Sequence, residues 1–423
     1  MFRFLRLLIL CSASVALGTA AAANLDLEIV LAPHSGAATE DTEIARWQER
    51  AGARGATAAM FERLGWAYVA KARRTLDAGF YKLAEKTADA MDAQFGASAE
   101  ARVLRGHVLH NLHRFREAEA VARQLVAERG QPADFALLSD ALIEQGKMTE
   151  GVAALQRMVD LRPGVEAFSR IAHVRWLKGD LGGATAAMEM AWQASRADDA
   201  ETRAWLLVRL AGYALQRGES ARAGELAEQA IIVLPDYAPA MLASGRALLA
   251  QEKTAAAITR LARAEALNPL PEYQWWLADA LAAAGRTADA AGVEQRLVKR
   301  GATEDPRTFA LFLATRRTEA TRAVRLARAE LGERADVFSH DALAWAFFAQ
   351  GDLAAADGAM RLALKEGTRD ARLSLHAGEI ARAAGRADEA RLHFGHAGEA
   401  AGTLLPCERA ALVAASGGLF AIK

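Results

Sequence analysis

Two very small side chains recur in step along most of this chain. In the stretch Asp341–Leu364, DALAWAFFAQGDLAAADGAMRLAL, Gly351 is followed five residues later by Ala356, and the same step returns at Gly285 with Ala290 and at Gly385 with Ala390. Stepping by 33 or 34 residues lands on Gly79, His113, Gly146, Gly179, Gly218, Glu252, Gly285, Thr318, Gly351 and Gly385, with one longer step of 39 between Gly179 and Gly218. Five residues beyond each point stand Ala84, Ala118, Gly151, Ala184, Ala223, Ala257, Ala290, Ala323, Ala356 and Ala390. Seven residues before the last nine points, eight of nine positions are also small, Leu311 being the exception. A period of this length marks a row of stacked supersecondary units, none able to bury its apolar face alone.

Each unit reads as two helices around a turn. An apolar-periodic segment such as HDALAWAFFAQ precedes Gly351, and AAADGAMRLALKEG follows it. Glycine suits the turn because it enters positive φ without Cβ strain. Small residues in mid-helix let two backbones approach. Leu155, Met188, Leu261, Met360 and Phe394 recur four residues further on and fill the adjoining groove. Pro163, Pro235 and Pro269 stop three second helices, since proline lacks the amide donor. No strand-like alternation competes.

These residues resemble the tetratricopeptide repeat. APAMLASGRALLAQEKTAAAITRLARAEALNP, Ala238–Pro269, is the best single unit, with Gly245, Ala257 and Pro269 matching that motif. Segments such as HRFREAEAVA, NPLPEY and GTRDARLSLHAG are similar to a bacterial family of exported or uncharacterised tetratricopeptide proteins, which carries no assigned reaction. The resemblance implies an all-α fold, a right-handed α-solenoid of about ten helix pairs over residues 56–400. Residues 24–55 read as a partly disordered lead-in with a short helix around Ile44–Arg50, and 401–423 as a capping segment with a helix at Glu408–Ala415. Departures from the motif are Glu252 and Thr318 at glycine positions, a shortened first helix before Thr318, and an uneven first unit.

The N-terminus has the three parts of a secretory signal peptide over residues 1–23. These are Arg3 and Arg6, the apolar run LLILCSASVALG, and small residues Ala21 and Ala23 in the A-x-A relation. Periplasmic or secreted localisation is therefore expected, with membrane attachment only through an uncleaved anchor. The apolar run is marginal for that role, because a spanning helix needs about 20 residues. Charge balances, with 52 Lys plus Arg against 52 Asp plus Glu, and this speaks against nucleic acid as a partner. Cys11 and Cys407 are too few for a disulfide framework or a cysteine-built zinc site.

The resemblance places function on the surface lined by first helices. Positions thirteen, ten, six and three before each turn share one stripe of those helices. Its aromatic members are Trp66, Trp176, Trp205, Trp275, Phe312, Phe338, Trp345 and Phe348, and Arg246 is among its charges. Trp66, Trp176, Trp205, Arg246, Trp275, Phe312, Trp345 and Phe348 form the candidate partner-binding set, suited to an extended or helical peptide. Against this, large apolar side chains are mostly core. The family's carboxylate clamp for chaperone C-termini is absent, because Val103, His107, Ala136 and Asp140 occupy its phases.

Two histidine groups offer a metal-binding alternative: His107, His110 and His113, and His376 with His393 and His396. The plainer reading of both is a polar helix face. No G-x-S-x-G, H-E-x-x-H, phosphate-binding G-x-x-x-x-G-K or C-x-x-C motif occurs. The sequence thus favours an exported scaffold that binds a protein or peptide in an open groove, without catalysis or cofactor. An enzyme whose site is assembled from distant residues is a third possibility with no nominated residues.

Overall fold

A computed structural model of the chain describes residues 25–417, so the signal-peptide reading lies outside the described residues. Among those residues the regular structure is helical throughout. Two compact units divide at Leu142 and Ile143, within the helix Pro132–Glu144.

In the first unit, a helical stretch at 25–30 and the helix Thr39–Gly52 precede pair one, Ala58–Thr75 with Ala78–Phe95. Pair two is Ala99–Asn111 with Phe115–Glu128. The segment expected to be partly disordered is instead packed. Val30, Ile44 and Ala51 join Phe61, Leu64 and Tyr68 in one core. Its loop is tied by polar groups: Gln48 Nε2 donates to the carbonyls of Val30 (3.0 Å) and Ala32 (2.6 Å), and Tyr68 OH donates to the Val30 carbonyl at 2.7 Å. Asp41 receives Lys71 Nζ and His34 Nε2, each at 2.7 Å. Burial would raise the Asp41 carboxyl, but those two partners hold it at about 2. The polar composition of LAPHSGAATEDTE concealed this network from a reading based on hydrophobic period.

The expected first turn also moves. Gly79 sits inside a helix, and the chain turns at Leu76, with φ of +57°. Both helices of pair one are 18 residues long, about one turn longer than the 13 or 14 residues common in later pairs. Ala84 nevertheless reaches the helix–helix contact and is fully buried.

The second unit contains the second helix of pair three, Met148–Leu161, and pairs four to ten. These are Val165–Leu177 with Leu181–Ala194, Ala200–Gln216 with Ser220–Val233, Ala238–Ala250 with Thr254–Leu267, and Pro271–Ala283 with Thr287–Glu304. Then come Pro306–Thr315 with Ala320–Glu330, Val337–Gln350 with Leu353–Ala363, and Ala371–Ala383 with Ala387–Glu399. A 3₁₀ turn at Ala401–Thr403 and the helix Pro406–Ala415 close the described chain. The 39-residue step is accommodated by the loop 195–199 and a 17-residue first helix in pair five.

The small-residue code works as a lock between helices. All ten residues five positions past the landing points are buried. Leu261 packs directly over Gly245 and Phe394 over Gly378, so that a Cβ at either glycine would collide with the large side chain. Glu252 keeps the turn despite not being glycine. It takes φ of +61°, and its N–H donates to the Leu249 carbonyl at 3.1 Å, as Gly285 donates to Ala282 at 3.0 Å. In pair eight, the 10-residue first helix ends one residue early. Arg317 and Glu319, not Thr318, take positive φ, and this restores the register of Ala323.

Candidate functional site

The second unit folds back on its own first helices. The segment GERAD before pair nine meets the turn of pair three: the Ala335 N–H donates to the Glu144 carbonyl at 3.0 Å, and Arg334 Nε lies 2.5 Å from the Glu144 carboxylate. One repeat on, GTRD repeats the arrangement against pair four. Thr368 Oγ1 donates to the Leu177 carbonyl at 2.5 Å, and Lys178 pairs with Glu366. The C-terminal segment lies across first helices of pairs five to seven. Gly402 approaches Ala250 and Leu215, Arg409 Nη1 donates to the Leu249 carbonyl at 3.1 Å, and the Cys407 N–H donates to Asp279 at 2.8 Å. The inner side of this unit, expected as an open groove, is therefore largely occupied by its own chain.

A cavity of about 450 Å³ survives between these elements. First helices of pairs four to seven bring Trp176, Tyr213, Arg246, Trp275 and Trp276 to it; pairs eight to ten bring Arg307, Phe338 and Asp341, with Asp370 and Arg372 at the start of the last pair. The volume is that of a small-molecule site. Most of its charges are satisfied by other protein groups. Arg307 pairs with Asp336 at 3.1 Å, Arg372 with Glu408 at 2.6 Å, and Asp341 with His376 at 2.9 Å. Asp370 receives the backbone N–H groups of Arg372 and Leu373.

Arg246 is different. Its guanidinium lies over the Trp276 ring at 4.8 Å, and its Nε is buried without a hydrogen-bond partner. Burial lowers its pKa, against the attraction of Glu272 and Asp370. The Trp275 indole N–H is likewise buried and unpartnered, in a residue only 2% exposed. A buried polar group left unmatched costs about 1–3 kcal/mol.

The sequence-nominated residues therefore separate. Trp176, Arg246 and Trp275 meet at the cavity, and Phe312 packs edge-on against Trp275 with ring centres 5.8 Å apart. Trp205 is half-buried against the core of pairs four to six. Trp345 stacks on Phe348 (5.1 Å) and His376 (4.0 Å) and donates to Thr315. Trp66, in the first unit, lies 5.2 Å from His107. The metal candidates do not assemble. His376 is buried against Asp341, His393 and His396 meet only edge-on at 6.5 Å, and no group of three His, Cys, Asp or Glu among the described residues is placed to hold a metal. Trp276, Arg307 and Arg372 were missed. The repeated Asp-x-Arg that opens two first helices, Asp305 with Arg307 and Asp370 with Arg372, was a usable signal for the two arginines. No helix among the described residues is long and apolar enough to cross a membrane.

Comparison with known proteins gives the following. A family model described as tetratricopeptide repeat matches residues 103–166 and 242–306. No curated protein matches the chain. Among solved structures, the human IFIT1 dimer with PPP-AAAA is 13% identical, covering 89% of this chain and 98% of that one, with a TM-score of 0.48. Yeast Tom70 is 12% identical, covering 90% and 92%, with a TM-score of 0.36. The repeat period and the helix pairs agree with those two matches: this chain contains tetratricopeptide repeats.

Proposed function

We propose that the protein is an exported, non-catalytic scaffold that binds a protein or peptide partner on its first helices. Tetratricopeptide repeats suggest an interaction scaffold, and the leader-like residues 1–23 support a periplasmic or secreted setting. One observation carries the peptide reading. First helices of pairs five to seven already hold polypeptide, using a carbonyl for Arg409 and a carboxylate for a backbone N–H of the C-terminal segment. The half-buried Trp205, on the first helix of pair five, and Trp345 and Phe348, on the first helix of pair nine, are the aromatic anchors. Trp275 and Phe312 are enclosed and support the cavity instead.

A photo-crosslinking side chain at Trp205 or Phe348, used in the intact cell, tests this reading. Discrete protein adducts are expected there, and none from Ile232, which is 78% exposed on a second helix. Equal adducts at all three positions, or none at the first two, would remove the first-helix surface as the docking site.

A further inference from the structure

We propose that the cavity of the second unit binds a small aromatic carboxylate, its anion against Arg246 and its ring among the indoles. This goes beyond partner docking, because the cavity is too small for a folded partner and the ligand class is different. Of the four arginines that line the cavity, two carry ion pairs, and Arg209 has only the Tyr213 hydroxyl at 3.4 Å and the Trp176 and Tyr213 rings. Arg307 and Arg372 are matched by Asp336 and Glu408, and Asp341 and Asp370 by His376 and backbone N–H groups. Arg246 has no ion pair, its Nε has no acceptor, and Glu272 across from it is exposed to solvent. The Trp275 N–H also lacks an acceptor, but it is sealed beneath Arg372 and backs the cavity wall. The cavity therefore offers an arginine without an ion pair beside aromatic faces, the complement of a carboxylate joined to a flat apolar body. The Arg246 guanidinium carbon lies 4.8 Å from the centre of the Trp276 ring, which holds the cation beside an indole face.

The experiment is calorimetric titration of the full chain with phenylacetate, phenethylamine, acetate and phenylphosphate. Phenylacetate is expected to bind saturably at one site and to raise the unfolding temperature. Phenethylamine, with the same ring and the opposite charge, and acetate, without the ring, are expected to bind at least about tenfold more weakly. Arg246→Gln should weaken phenylacetate by about tenfold or more, and Arg246→Lys by less, because it keeps the charge but loses the planar fork. Circular dichroism establishes that each variant is folded; the ligand series on the unaltered protein is independent of that. Absence of saturable phenylacetate binding, tighter binding of phenethylamine, or tighter binding of phenylphosphate would each overturn the assignment. So would full affinity in a folded Arg246→Gln.

Discussion

Gly179→Ala should lower the stability of the second unit by about 3 kcal/mol, whereas Gly285→Ala should cost only about 1 kcal/mol. Both glycines hold the same backbone conformation, with φ of +75° and +76°. Both would therefore carry the left-handed penalty, roughly 1–2 kcal/mol for an L-residue. They differ in what surrounds them. A methyl group at Gly285 meets nothing, but one at Gly179 runs into the backbone carbonyl of Gly367. That carbonyl cannot rotate away as a flexible side chain would, and it belongs to the segment holding the Thr368 to Leu177 hydrogen bond. Overpacking of this kind adds about 1–3 kcal/mol. Denaturant midpoints of the two variants give the comparison. Equal losses would mean that the pair-four turn does not touch the segment before pair ten.

The second large effect concerns Glu408, which lies on the C-terminal helix and is 3% exposed. It takes Arg372 Nε at 2.6 Å and Nη2 at 3.2 Å, and accepts the Leu405 N–H at 2.9 Å. Burial would lower the Arg372 guanidinium, but Glu408 and nearby acids more than offset it and hold it above its ordinary value. Glu408→Gln leaves that buried charge without its partner and is expected to lose about 3 kcal/mol. Changing both sides, Arg372→Met with Glu408→Leu, should lose much less, since two apolar groups need no counter-charge. A double variant as unstable as the sum of the single changes would show that the pair is not coupled.

Much of the helix architecture was legible because it is local. The interval from a turn glycine to the alanine five residues later reports one helix pair, and Gly245 and Leu261 lie sixteen residues apart. The closing helix was also readable, from Pro406 and Glu408 ahead of an apolar run. Contacts between distant repeats were not. Nothing near Gly179 marks it as different from Gly285, because Gly367 lies almost two hundred residues further on. The same blindness affected the candidate site. A helical stripe says that Trp275 and Trp345 point to the same side, but not that Trp275 is sealed beneath Arg372 while Trp345 stacks on His376. Likewise Leu76 was invisible as a turn because any residue can be forced into positive φ when both flanking helices pack well.

The second unit closes upon its own first helices, around the cavity that Arg246 lines. Zero-length carbodiimide coupling of the unmodified protein, read by mass spectrometry, tests this most directly. Lys178 and Glu366 form an ion pair across the closure, and Lys86 and Asp26, 2.9 Å apart in the first unit, provide an internal reference. The account predicts an isopeptide bond within one chain between Lys178 and Glu366, formed as readily as the reference bond. Coupling of Lys86 to Asp26 with none between Lys178 and Glu366 would contradict it, and would mean that the repeats stand open.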